Sequence, residues 1–336
     1  MPIKFYIPNW NNELPEGQRP KRASRRFRAL IPLKGMRPED GIIGEVSQAR
    51  PGDIVVLAKK SKPEEVIHLK TRGIKCVYDI CDNKWRKEGV LGWKEKIIIP
   101  HNYICQNADA IVTTCQTMQK LIMENTTRDS IIITDPTEAF KREPNIRKNN
   151  IVKIYNYGNS KHFSRVNWNL LIKSLNDLNI RFQLHCMLDR TKKFFSMYEG
   201  HLRSGEMFLH EYDFETQYSL MKESDIVFLP IIKTRTDMTD IKCKSPNRMI
   251  DAIQSGKPVV TNTGVDSYEP FKKYVEWVDS INLDPTYDQF AQGILNVINT
   301  SKDILYNKII EGQNYIEQNH SPFVVGKQWI ELENKV

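Results

Sequence analysis

Residues 244–260, KSPNRMIDAIQSGKPVV, set a lysine and a Ser-Pro pair ahead of a helical stretch holding one carboxylate, then break at Gly256-Lys257-Pro258 into a valine pair. The pattern predicts a helix from about residue 246, with Ser245 as its cap and Pro246 at the first helical position, where a missing N–H does no harm. The amides of Asn247 and Arg248 then point outward, and a helix N-terminus is an anion site with phosphate as its commonest ligand. Lys244 and Arg248 add full positive charges beside it. Asp251 follows about one turn later, where a carboxylate accepts both hydrogen bonds of a ribose cis-diol, while Gly256 ends the helix and admits the chain to a strand at Val259 and Val260. A nucleoside diphosphate satisfies every one of these groups. The plainer alternative is an ordinary capped surface helix packed by Met249, Ile250 and Ile253.

Such a helix needs a sheet to stand on, and the rest of the chain supplies two. In the first half, 53–58 (DIVVLA), 74–80 (IKCVYDI), 110–115 (AIVTTC) and 130–135 (SIIITD) read as strands, separated by helical 62–73 and 116–125. Around residues 137–150 the sequence turns polar and loses periodicity. It then restarts with strands at 151–158, 180–188, 225–231 and 257–262 and helices at 168–179, 214–224, 246–255 and 286–301. Strands alternating with helices imply parallel sheets and right-handed crossovers. The expected fold is α/β, two Rossmann-like domains facing across a cleft: 1–145, 146–312, and 313–336 as a C-terminal helix packing back on the first, with Trp329 as an anchor. In open parallel sheets ligands bind beyond the carboxyl ends of the strands, so the expected site is that cleft.

At 336 residues the chain suits two domains of roughly 150 residues each. Hydrophobic residues at 40% and charged residues at 27% exclude a disordered or fibrous chain. No apolar run reaches the roughly 20 residues of a membrane span and the N-terminus lacks signal-peptide character, so a cytoplasmic protein is expected. The six cysteines show no CxxC pair or zinc-like rhythm and read as buried, reduced thiols. Lys and Arg total 49 against 41 acids, a net +8 that favours polyanionic partners. The densest run, QRPKRASRRFR at 18–28, makes Arg22, Arg25 and Arg26 candidates for anion or acceptor binding, against a merely solvated face. The absence of G-x-G-x-x-G after any expected strand disfavours a dinucleotide enzyme, and the absence of a P-loop argues against an NTPase.

With these residues in view, KSPNRMIDAIQSGKPVV resembles the helix and following strand that hold the donor nucleotide in retaining glycosyltransferases of the B-type fold, especially those like family 4. The usual motif pairs two glutamates. Asp251 takes the position of the second, and Cys243 stands eight residues earlier where the first belongs, which marks a divergent, bacterial or phage type of branch. VYDICDNKW, with Asp79, Asp82 and Trp85, is similar to a Y-D-x-D-D-x-W segment of some bacterial and phage members. NADAIVTTCQTMQKLI, ESDIVFLPI and IYNYGNSKHF resemble further steps of the same fold. The likeness covers most of residues 50–336, and the first 50 match weakly through ASRRFRALIP.

The resemblance implies a glycosyltransferase moving a hexosyl or pentosyl unit from a nucleotide-diphosphate sugar to an acceptor hydroxyl, with retention by front-face attack. The departing diphosphate must be stabilised as charge develops. Lys244, Arg248 and the helix amides are the expected donors, with Lys161 or Arg190 from the loops after the first two strands of the second domain, and Gly158 allowing close backbone approach. His101, Asp79 and Asp82 follow apolar runs expected to end at the cleft, and are the candidates for orienting acceptor or donor sugar. No cofactor is required and no metal site is assigned; magnesium on the carboxylate pair stays open, although no phosphate-adjacent Asp-x-Asp is evident. The acceptor is a cell-surface saccharide or lipid-linked precursor, with peripheral contact between the basic run and an anionic membrane. Two alternatives remain at this stage: glycosylation of hydroxymethylated bases in phage DNA in an infected cytoplasm, with the run gripping phosphates, and a non-catalytic nucleotide-sugar or nucleic-acid binding protein.

Overall fold

The computed structural model describes residues 3–6, 26–58, 61–85, 92–146, 149–232, 241–262, 264–279 and 285–336. Two compact units share the chain. Met1–Glu138, Thr239–Ser245 and Glu317–Val336 form one, and Ala139–Met238 with Pro246–Ile316 form the other.

The first unit is built on six parallel strands: β1 Ile3–Tyr6, β2 Gly41–Ile43, β3 Ile54–Ala58, β4 Lys75–Ile80, β5 Ala110–Thr113 and β6 Ile131–Ile132, in the order β2-β1-β3-β4-β5-β6. β3 is buried throughout, as a strand covered by helices on both faces must be. One face packs Val55, Leu57, Tyr78 and Ile111 against the helices Pro63–Thr71, Ile99–Asn107 and Gln116–Thr126. The other packs Phe5, Val56, Val77 and Val112 against the last helix, Pro322–Glu331, whose Trp329 ring meets Phe5 edge-on with centroids 5.1 Å apart.

The second unit holds β7 Val152–Gly158, β8 Phe182–Leu188, β9 Met207–Glu211, β10 Ile226–Leu229, β11 Val259–Asn262 and β12 Glu276–Val278, again all parallel, in the order β12-β11-β10-β7-β8-β9. Counted from its own first strand, this is the 3-2-1-4-5-6 order of a dinucleotide-binding sheet read from the other edge. The order reverses between β7 and β10, and there the carboxamide of Asn156 donates to the Phe228 carbonyl at 2.7 Å. An aromatic core of Trp168, Phe163, Phe194, Phe228 and Phe290 supports one face of this sheet.

Candidate functional site

In an open parallel sheet the strand reversal opens a crevice at the carboxyl ends, so the ends of β7 and β10 are where the second unit offers a ligand site. β7 ends at Gly158. The next residue, Asn159, caps the short helix Ser160–Phe163 by accepting from the His162 N–H at 2.9 Å, and Asp189, just past β8, accepts from the Ser160 N–H at 2.6 Å. Burial opposes the charge on Asp189, but its bonds from Ser160 win and hold it below the ordinary carboxylate range. On the β10 side, Asn262 accepts from Ile231 N–H at 2.7 Å and donates to its carbonyl at 2.9 Å, fixing the start of the loop after that strand.

The eight-residue helix Asn247–Gln254 brings Arg248 to this edge. Arg248 Nη1 donates to the Tyr157 carbonyl at 3.1 Å, while the Tyr157 hydroxyl donates back to the Arg248 carbonyl at 2.7 Å. A Cβ on residue 158 would stand 3.2 Å from Arg248 Nη1, so glycine lets guanidinium and strand end approach closely. Of the residues the sequence nominated, Gly158 and Arg248 are thus brought together. Arg190 is exposed on the loop after β8. Lys161 lies on the helix after Gly158, and its side chain lies outside the described residues.

The helix start differs from the sequence expectation. Pro246, not Ser245, occupies the cap position and makes no side-chain cap bond. The Ser245 hydroxyl donates instead to Asp135 Oδ2, a buried acceptor of the first unit that competes for it. Ser245 and half-buried Lys244 belong to the first unit, whereas Asn247, Arg248 and Asp251 belong to the second. Asp251 does not present an open carboxylate. It is buried, Oδ1 accepting from the Ala139 N–H at 3.2 Å and Oδ2 from the Tyr218 hydroxyl at 3.4 Å. Cys243, at the missing first acid of the motif, packs into the first unit's core. Gly256 takes φ +74°, with the carbonyl oxygens of Arg142 and Glu143 within 2.9 Å of where a Cβ would stand, so a side chain is excluded on both counts.

In the first unit three nominated residues turn inward. Asp79, 1% exposed, takes a two-pronged bond from Arg28, with Nη2 at 2.7 Å and Nε at 3.0 Å, and is not available to a sugar. Arg28 Nη1 also donates to Asp135 Oδ1 at 3.0 Å and to the Ile133 carbonyl at 2.7 Å. Arg26, expected to face an anion, is buried with Nε 2.8 and 2.9 Å from the Glu138 oxygens. A buried guanidinium requires carboxylates around it. Arg22 and Arg25 lie outside the described residues. Asp82 stays half-buried in the loop after β4.

His101 does not follow a strand into a cleft either; it sits in the first turn of the helix Ile99–Asn107, 3% exposed. Its Nδ1 pairs with the Tyr78 hydroxyl at 2.8 Å and its ring lies 4.6 Å from that of Trp85. Burial first, then the charge of Lys84, lower its pKa from 6.5 to about 3, so the imidazole is neutral and no proton donor at physiological pH. The unfolded chain binds this proton near pH 6.5 and the folded chain does not, so the neutral ring contributes stability that is full above that pH and drains away as pH falls toward 3. Urea unfolding at pH 7 and pH 5 is expected to show a loss that His101→Phe reduces. Parallel profiles for the two chains would assign the loss to His185, His210 and His320, whose pKa values burial also lowers.

Among the described residues no group of three or more His, Cys, Asp or Glu is placed to hold a metal ion, and no helix is long and apolar enough to cross a membrane. The contacts that sequence reasoning missed are Tyr157, Asp189, Asn262 and the Arg28–Asp79 pair. Of these only Asp189, an acid directly before Arg190 at a strand end, carried a positional signal.

No protein-family model matches the chain, and no curated protein is similar to it at a significant level. Solved structures are similar in fold. Anabaena HepE in complex with UDP superposes with a TM-score of 0.68 at 11% identity over 100% of both chains. TarM superposes with 0.59 at 15% identity over 84% of this chain and 55% of that one. The pneumococcal O-GlcNAc transferase GtfA in complex with UDP and GlcNAc gives 0.59 at 12% identity over 86% and 58%. The chain therefore spans little more than half the length of TarM and GtfA. Together with the two parallel six-stranded sheets, these likenesses establish the glycosyltransferase B-type fold.

Proposed function

We propose that the protein transfers a sugar from a nucleoside-diphosphate donor, first of all a UDP-sugar, to a hydroxyl of a cell-surface saccharide or lipid-linked precursor, with retention of configuration. The observation that carries this reading is the placement of Arg248 against Gly158 at the strand reversal of the second sheet. A diphosphate there meets a fixed guanidinium, a fork suited to two phosphate oxygens. HepE and GtfA, which share the fold, were solved with UDP, and HepE also with UDP-glucose. In the reaction the bond from the anomeric carbon to the diphosphate oxygen breaks and its electron pair leaves with the diphosphate. The acceptor oxygen attacks from the same face, and its proton passes to a departing phosphate oxygen. Arg248 stabilises the charge that develops, so no metal is needed for that purpose.

DNA as the acceptor loses part of its support, because Arg26 and Arg28 of the basic run are spent on Glu138, Asp79 and Asp135. Purified protein incubated with UDP-, GDP-, ADP- and CMP-sugars is expected to release nucleotide slowly from one of them, most strongly a UDP-sugar, without DNA. Release only when hydroxymethylcytosine-containing DNA is added would transfer the reading to DNA modification. Binding of a donor without release under every condition would make the chain a binding protein and end the enzyme reading.

A further inference from the structure

We infer that the segment from Arg190 to Arg203 of the second unit is a docking surface for an anionic lipid bilayer. The sequence RTKKFFSMYEGHLR alternates anchors and exposed groups. Phe194 and Tyr198 are buried, their rings against Phe163 at centroid distances of 4.7 and 5.7 Å. They pin two short helices, Lys192–Phe195 and Glu199–Arg203, to the core. His201 adds a bond to Asn169 at 3.1 Å and one to Glu206 at 2.8 Å. Two large apolar side chains point away from this base, Phe195 at 47% and Met197 at 62% exposed. Beside Phe195 runs an open groove of about 420 Å³, lined by Phe195, Ser196, Glu199, Leu202 and Arg203.

The charges around the groove choose the occupant. Arg190, Lys192, Lys193 and Arg203 are all exposed, and the segment's one acid, Glu199, is paired with Arg203. Two adjacent exposed apolar side chains ringed by cations suit the interface of an anionic leaflet, where the apolar groups enter the headgroup boundary and the cations stay among the phosphates. A second copy docked through the same patch about a two-fold axis would set the same four cations against themselves. The inference assumes nothing about the reaction, and the test below does not read activity.

The full chain is expected to sediment with phosphatidylcholine vesicles containing phosphatidylglycerol and to stay in solution with phosphatidylcholine alone. Lys192→Gln and Lys193→Gln are each expected to lower partitioning roughly fivefold. Phe195→Ser with Met197→Ser is expected to lower it by about tenfold. Thermal unfolding should be unchanged in all of these variants because the four side chains are exposed. Failure of the wild type to bind the anionic vesicles overturns the inference, as does binding that survives all four substitutions. Dissociation of a dimer in the Phe195→Ser, Met197→Ser chain without any vesicle binding would reassign the patch to self-association.

Discussion

Asp79→Ala is expected to destabilise the first unit by about 3–5 kcal/mol, the typical cost of removing one partner from a buried ion pair. The reason lies in Arg28. Its guanidinium is buried, with Nε and Nη2 on Asp79 and Nη1 on Asp135 and the Ile133 carbonyl. Desolvation opposes the charge, but the two carboxylates outweigh it and raise the Arg28 pKa, so the group cannot escape by losing its proton. Truncating Asp79 leaves that charge with half its compensation and strips two donors of their acceptor. At roughly 2–4 °C per kcal/mol for a unit of this size, the transition of the first unit should fall by about 10 °C. Near-ultraviolet circular dichroism follows the loss of aromatic packing, including that of Trp329, whose ring lies 5.4 Å from the Arg28 guanidinium. Asp79→Leu combined with Arg28→Met and Asp135→Asn removes all three charges of the cluster, Asp135 being the other carboxylate that Arg28 meets, and is expected to restore a large part of the loss. A single variant within about 1 kcal/mol of wild type would show that the pair is not what holds this corner.

Asp79 also shows where sequence reading stops. The parallel α/β architecture was legible because period-two and buried apolar runs alternate with helical stretches, and β3, β4, β5, β7, β8, β10 and β11 stand where those runs are. The strands not anticipated, β1, β2, β9 and β12, have three to five residues and lie at or beside sheet edges, where little apolar sequence is needed. SIIITD contributes only the two-residue β6. The helix at 247–254 was legible from its proline and glycine, to within one residue at its start. Side-chain commitments were not. A carboxylate at a strand end reads alike whether it meets a substrate or an arginine 51 positions away, as Asp79 meets Arg28. The same holds for Asp251, whose partner is the amide of Ala139, 112 positions away. Local pattern reports periodicity and caps, whereas long-range pairing depends on which groups the core leaves without water.

The place of Arg248 in the first turn of the helix Asn247–Gln254 was legible, its contact with Tyr157, 91 positions away, was not, and the proposed reaction rests most heavily on this residue. Arg248→Ala is expected to lower kcat/KM for donor turnover by about 100- to 1000-fold, the usual effect of deleting one donor aimed at developing negative charge. Because that charge grows as the diphosphate departs, kcat should fall more than KM rises. Arg248→Lys keeps the charge but loses the fork, and an intermediate rate is expected. Stability should hardly move. The variant gives up the bond from Nη1 to the Tyr157 carbonyl, worth about 1 kcal/mol, and keeps the bond from the Tyr157 hydroxyl to the backbone of residue 248. A large fall in rate with an unfolding midpoint lowered by only about 2–4 °C therefore separates chemistry from architecture. If the alanine variant turned donor over at the wild-type rate, Arg248 would be no more than a clamp on β7, and the diphosphate would have to find its charge elsewhere on the chain.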